Sequence, residues 1–245
     1  MAGHSKWANI RHRKNAQDTK RGKIFTKIIK EITVASRIGG EDVDANPRLR
    51  KAVSNAQSNN MPLENIKRAI QKGTGELDGV NYEEITYEGY GPGGVAILID
   101  VITDNRNRTV ADVRSILTKY NGSMGENGSV SWMFKRRGLI ILDRTDSDEK
   151  TFFNIVMDSG ADDFEVNEKN YFVFTDPGIV MDVREFLVSE GCVVNSAAIE
   201  MIPNSYQKVS MEDGYEFQKL MKLLDDNADV NRVYSNFDLE GISSI

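Results

Sequence analysis

Residues 171–201 read YFVFTDPGIVMDVREFLVSEGCVVNSAAIEM, and three changes of pattern within them decide the fold. Tyr171–Thr175 is a short run of aromatic and β-branched residues, which predicts a strand. Asp176-Pro177 opens a helix with Val180, Val183 and Leu187 at helical spacing on one face, and Gly191 closes it. Val193–Met201 then reads as a second strand. Working backwards, Asp163–Val166 pairs with 171–175 as a hairpin around Glu168-Lys169. Before it stands a helix capped by Ser147 and carrying Phe152, Phe153 and Val156, and before that a strand at Leu139–Leu142. The order strand–helix–strand–strand–helix–strand over 138–202 predicts two helices on an antiparallel sheet, a ferredoxin-like sandwich.

Outside this unit the chain changes period on both sides. Residues 83–90 and 94–102 read as strands joined by the turn Gly91-Pro92-Gly93-Gly94. A helix over about Arg106–Tyr120 follows, with Val110, Val113, Leu117 and Tyr120 inward, and then a strand near Val130–Phe134. On the far side a helix (Met211–Asp226) and a strand (Val230–Phe237) are too little to stand alone. They would complete the sheet begun at 83–134, which predicts that 136–203 is inserted into a domain formed by 79–135 plus 204–245. The alternative is a linear chain with the last helix and strand packed elsewhere.

Residues 1–78 form the first domain. A helix from Gly22 carries the row Ile24, Ile28, Ile32 and Ala35, flanked by Phe25, Ile29 and Ile38, and ends at Gly39-Gly40. Asn46-Pro47 caps a second helix lined by Leu49, Ala52, Val53 and Ala56. A third begins at Asn60-Met61-Pro62, turns Leu63, Ile66 and Ile70 inward and stops at Gly73. None hides its stripe alone, so the three should pack as a bundle. The expected class is α+β: a three-helix domain and two ferredoxin-like domains, the third inserted in the second.

The net charge of −6 conceals a segregation. Residues 1–75 hold 16 Lys and Arg against 6 Asp and Glu, a net +10, and the remaining chain holds 15 against 31, a net −16. The first 30 residues carry nine basic side chains and only Asp18. A basic segment of this density points to a polyanion such as nucleic acid, against the plainer reading of a solvated face. No apolar run is long enough for a membrane span, the N-terminus lacks a secretory pattern, and one cysteine, Cys192, forbids an internal disulfide. A reducing cytoplasm fits.

The segments GHSKWANIRHRK (3–14), RGKIFTKIIKEI (21–32), NPRLRKAV (46–53), NNMPLENIKRAIQKG (59–73), YEGYGPGGVAILID (87–100), TDNRNRTVADVR (103–114) and GSVSWMF (128–134) together resemble the YebC/PmpR family. The resemblance implies a helical N-terminal domain and two mixed α/β domains. It also implies a gene-expression regulator rather than an enzyme, some members being DNA-binding transcriptional regulators and others ribosome-associated translational activators. With no mitochondrial extension, a bacterial-type member is expected.

The candidate nucleic-acid ligands are Lys6, Arg11, Arg13, Lys14, Lys20, Arg21, Lys23, Lys27 and Lys30, because phosphate calls for positive charge. Trp7 either stacks on a base or anchors the arm to the bundle. Arg106 and Arg108, in the strand-to-helix loop 103–109, either grip a phosphate at the helix N-terminus or are solvated beside a cap at Asp104 or Asn105. Helices 47–58 and 62–72 offer few base-reading side chains, so backbone contacts are expected over major-groove reading. GYGPGG (89–94) lacks the Gly-Lys-Ser/Thr ending of a phosphate loop and reads as a tight turn. The two histidines, His4 and His12, both lie in the basic arm, and Asp158, Asp162 and Asp163 read as surface acids rather than a Mg²⁺ site. No cofactor, metal, small-molecule substrate or membrane partner is expected.

Overall fold

The computed structural model describes residues 19–144 and 149–238. Three helices come first: α1 (Thr19–Gly39), α2 (Pro47–Ser58) and α3 (Leu63–Thr74). Asn46 caps α2, its side chain accepting from the amide of Leu49, and Pro47 fills the first turn where no amide partner is needed. Ile28, Ile32 and Ala35 of α1, Leu49, Ala52 and Ala56 of α2, and Ile66 and Ala69 of α3 form one buried cluster. Three apolar residues expected in the stripes lie outside it: Ile24 is exposed, as is Ile38, and Leu63 is 64% exposed at the start of α3.

The crossing of α1 and α3 is close because Gly73 has no side chain. A Cβ there would lie 2.4 Å from the Thr33 carbonyl oxygen and 2.8 Å from the Ser36 Cβ. Alanine has the better helix propensity, by about 1 kcal/mol. Overpacking against backbone outweighs that gain. Gly73→Ala is expected to lower stability by about 1–2 kcal/mol net, read as a lower urea midpoint.

Two four-stranded antiparallel sheets follow. The first has the order β3–β1–β2–β8, built from β1 (Glu83–Tyr90), β2 (Ala96–Thr103), β3 (Ser123–Met124) and β8 (Val230–Ser235). The β1–β2 turn is a 3₁₀ turn at Pro92–Gly94, with Gly93 and Gly94 at φ 69° and 74°, which glycine alone adopts readily. Helices α4 (Arg106–Lys119) and α7 (Met211–Asp226) cover one face. Val113 and Leu117 of the former and Phe217, Leu220, Met221 and Leu224 of the latter pack on Ile97, Ile99, Val101, Val230 and Val233. The layers are ferredoxin-like, but the central hairpin β1–β2 comes first in the chain and the edge strands β3 and β8 come from either side of the second sheet.

The second sheet has the order β5–β6–β4–β7, from β4 (Phe134–Asp143), β5 (Asp163–Val166), β6 (Asn170–Thr175) and β7 (Val194–Pro203). Helices α5 (Glu149–Asp158) and α6 (Val180–Ser189) lie on one face, over Ile140, Leu142, Tyr171 and Val173. Burial pushes the Cys192 thiol up, and Glu190 adds to it, the opposite of an activated nucleophile. The two sheets meet where Ala96 and Leu98, on the helix-free face of the first, pack on Val130, Phe134 and Met201.

One expected strand is absent. Val130–Phe134 is not an edge of the first sheet: Ser131–Met133 form a 3₁₀ turn, and Phe134 begins β4. The edge is the two-residue strand Ser123–Met124, paired to Tyr90 and Gly89. The reason lies in Glu88, whose buried carboxylate accepts the amides of Gly128 (2.7 Å), Val130 (2.7 Å) and Ser131 (2.8 Å). Those amides are spent on a side chain and cannot join a ladder.

Candidate nucleic-acid interface

Helix α1 has more than one occupied face. Its apolar stripe meets α2 and α3. A second face meets the first sheet and the end of α7, and two of the candidate lysines lie there. The Lys27 ammonium donates to the carbonyl of Asp225 at 2.5 Å and is half-buried. Lys30 is 6% exposed. Its ammonium donates to the carbonyls of Ile102 (3.2 Å) and Ala228 (3.0 Å) and forms an ion pair with Asp229. Lys30 is thus an interdomain anchor and not a phosphate ligand: its positive charge is already matched and out of water. This corrects the expectation for it.

Arg108 points at the same carboxylate. Its guanidinium lies 2.7 Å from Asp104 and 2.8 Å from Asp229, and the Thr109 hydroxyl donates to Asp229 at 2.7 Å. The cap at the start of α4 is Asn105, whose side chain accepts from the Arg108 amide at 3.0 Å. Arg108 stands beside a helix end capped by Asn105, with its charge paired rather than solvated. Arg106 is exposed.

Three side chains, Lys30, Arg108 and Thr109, meet on Asp229. Burial alone would raise its pKa, but bonds from Lys30, Arg108 and Thr109 outweigh that and hold it at about 2. Asp104 is likewise held below the usual carboxylate range by Arg108. A second bridge runs beside the first. Arg48 of α2 binds Glu31 of α1 at 2.8 Å and Glu84 of β1 at 2.5 Å, and Asn231 donates to Glu31 at 3.2 Å. Glu31, then Glu84, raises the pKa of Arg48 despite its burial. The helical domain is thus fixed to the first sheet by charge at two points.

The cations left facing solvent are others. Lys23, one turn before Lys27, is exposed with no ion-pair partner among the described residues. On α3, Lys67 and Lys72 are exposed and unpaired among the described residues, and Arg68 lies 3.9 Å from Glu64. Arg68 and Lys72, four residues apart, share one side of that helix. The arm residues Lys6, Trp7, Arg11, Arg13 and Lys14 lie outside the described residues, as do the side chains of Lys20 and Arg21.

The acidic residues weighed as a metal site are dispersed. Asp162 pairs with Arg137 at 3.5 Å, and Asp163 accepts the amide of Phe164 at 2.8 Å. Among the described residues no three His, Cys, Asp or Glu side chains converge on a point that would hold a metal ion. No described helix is long and apolar enough to cross a membrane.

Comparison with known proteins places this geometry. Residues 5–76 match the model of the TACO1/YebC protein N-terminal domain, and residues 82–237 match that of the TACO1/YebC second and third domain. A probable transcriptional regulatory protein of Geobacter sulfurreducens is 56% identical, over 98% of this chain and 96% of its own length. A protein of Chloroherpeton thalassium with the same description is 49% identical over the same shares. The crystal structure of a conserved hypothetical protein from Aquifex aeolicus superposes with a TM-score of 0.81 at 40% identity, covering 95% of this chain and 97% of that one. With both models matched and identity near one half along nearly the whole length, the chain belongs to the TACO1/YebC family.

Proposed function

We propose that this chain is a non-enzymatic regulator of gene expression that binds nucleic acid, in the first instance DNA, mainly through the phosphate backbone. The observation that supports it is the segregation of charge, +10 in residues 1–75 against −16 in the rest. The binding surface comprises Lys23 with Lys67, Arg68 and Lys72 on the helices. It is continued by Lys6, Trp7, Arg11, Arg13, Lys14, Lys20 and Arg21 of the arm and first turn. Arg106 is a peripheral contact. The description of relatives as probable transcriptional regulatory proteins agrees with this reading. In the same reading the chain is divided as 1–78, 79–135 plus 204–245, and an inserted 136–203.

A charge-reversed variant, Lys23→Glu with Lys67→Glu and Lys72→Glu, tests it. Each lost phosphate contact flattens the dependence of log affinity on log salt by about 0.9 on duplex DNA. The triple variant is expected to lose about two to three units of slope and more than tenfold in affinity at low salt. An unchanged slope would remove these helices from the interface. A second reading, a ribosome-associated translation factor, is favoured by Trp7 among the arm cations, since aromatic stacking suits unpaired RNA. Co-sedimentation with ribosomes at low salt, lost in the same variant, separates it from the first.

A further inference from the structure

The turn that replaces the expected strand holds an indole in the open. Trp132 is 69% exposed, yet it is fixed at several points. Its ring nitrogen donates to the Ser129 carbonyl at 3.1 Å, an oxygen also bound by the Tyr90 hydroxyl at 3.1 Å. The Asn204 side chain donates to the Trp132 carbonyl at 3.1 Å, and the Asn204 amide to the Met133 carbonyl at 2.8 Å. Behind the turn the Glu88 carboxylate binds the three amides of Gly128, Val130 and Ser131. An exposed apolar side chain is common, but this ring is held in place by its own turn and has lost its freedom before any partner arrives.

Two cations stand three and four residues further on. Lys135 and Arg136 are both exposed and have no hydrogen-bond or ion-pair partner among the described residues. They lie in the part of β4 that pairs with β7 alone, since pairing with β6 begins only at Gly138. That segment therefore has one open edge among the described residues. Adjacent in a strand, Lys135 and Arg136 project to opposite faces and so flank that open edge from both sides. A rigid aromatic ring beside an edge flanked by cations combines the two elements that bind single strands: a stacking platform and charge for the backbone.

We propose that Trp132, Lys135 and Arg136 form a second nucleic-acid contact, specific for unpaired nucleotides, on the acidic part of the chain. It rests on the reading of the protein as a nucleic-acid binder and adds to it: the basic helical domain takes phosphate without regard to pairing, and Trp132 stacks on an exposed base. The cations offset the surrounding negative charge locally, which admits a strand there and keeps it off the neighbouring surface.

The chain has two tryptophans, Trp7 and Trp132, so Trp7→Phe leaves Trp132 as the sole indole reporter. In that protein, titration with a U12 RNA and a dT12 DNA is expected to quench the Trp132 emission, and a 12-base-pair duplex to leave it unchanged. The RNA and DNA arms separate the two sources of unpaired bases. Trp132→Ala is expected to weaken single-strand binding about tenfold, and Trp132→Phe to restore part of it. Lys135→Glu with Arg136→Glu should flatten the salt dependence by roughly one unit. Because the ring is exposed, thermal unfolding of Trp132→Ala should match the parent and exclude misfolding. If single strands bind without quenching, and Trp132→Ala binds equally well, the platform is wrong while the basic domain stands. If no nucleic acid binds the parent protein, both readings fall. If the emission instead shifts with protein concentration alone, the occupant is a second copy of the chain and the proposal is overturned.

Discussion

Asp229→Ala is expected to lower stability by about 3–5 kcal/mol, the usual cost of leaving a buried charge without its partner. Lys30 would keep only two carbonyl acceptors for a buried ammonium, and Thr109 would fall back on the Asn105 carbonyl and the Thr103 hydroxyl. Arg108 would retain Asp104 and suffer least. The loss should appear as a lower urea midpoint and as faster amide exchange in α1, which would be held less firmly to the first sheet. Lys30→Met alone should cost less than Asp229→Ala, because Asp229 keeps Arg108 and Thr109. If Asp229→Ala unfolds at the parent's midpoint, the ion cluster is an ornament of the surface. Acid provides an independent measure. The folded-state pKa of about 2 lies below the ordinary 3.8. The cluster's contribution is therefore complete above about pH 4 and is lost as pH falls through 2, by about 2 kcal/mol in all.

Glu88→Gln is the second large effect, about 2–3 kcal/mol, with Glu88→Ala about 1 kcal/mol beyond it. The carboxylate carries its charge into a buried place. Burial would raise its pKa, and the amides of Gly128, Val130 and Ser131 bring it instead below the ordinary value. An amide side chain presents one carbonyl oxygen and turns an NH₂ toward donors it cannot satisfy. The Gly128, Val130 and Ser131 amides should then exchange with solvent much faster, and the Trp132 emission should lose its anisotropy as the turn loosens. Parent-like protection of those three amides in Glu88→Gln would show that the turn is held by its own geometry.

Much of the fold could be read from residues that act locally. Asn46-Pro47, the Gly91–Gly94 turn and the periodicity of 171–201 each act within a few positions, and the observed α2, hairpin and α6 follow them. What could not be read depends on partners far away in the chain. The largely apolar run Val130–Phe134 resembles a strand until Glu88, about forty residues earlier, is found on its amides. Lys27 and Lys30 lie opposite the apolar stripe and read as nucleic-acid ligands on an open basic face. Their acceptors, at Asp225 and Asp229, are about two hundred residues away. Spacing identifies a polar helix face but does not say whether water or another domain meets it. Trp132 sat within a segment that resembled the family, with nothing in its spacing to mark it as exposed.

The pairing of Lys30 with Asp229 spans 199 positions, and that distance sets a schedule for the nascent polypeptide. At about 5–20 residues added per second, the lysine waits roughly 10–40 s after its own synthesis for its counterion to be made. Throughout that interval Lys30 has no Asp229 to pair with, and the net positive charge of the opening helices stands beside the ribosome and the transcript. Only when Asp229 and the strand that follows it have emerged can the N-terminal domain acquire its final orientation, so these helices are docked long after they are made.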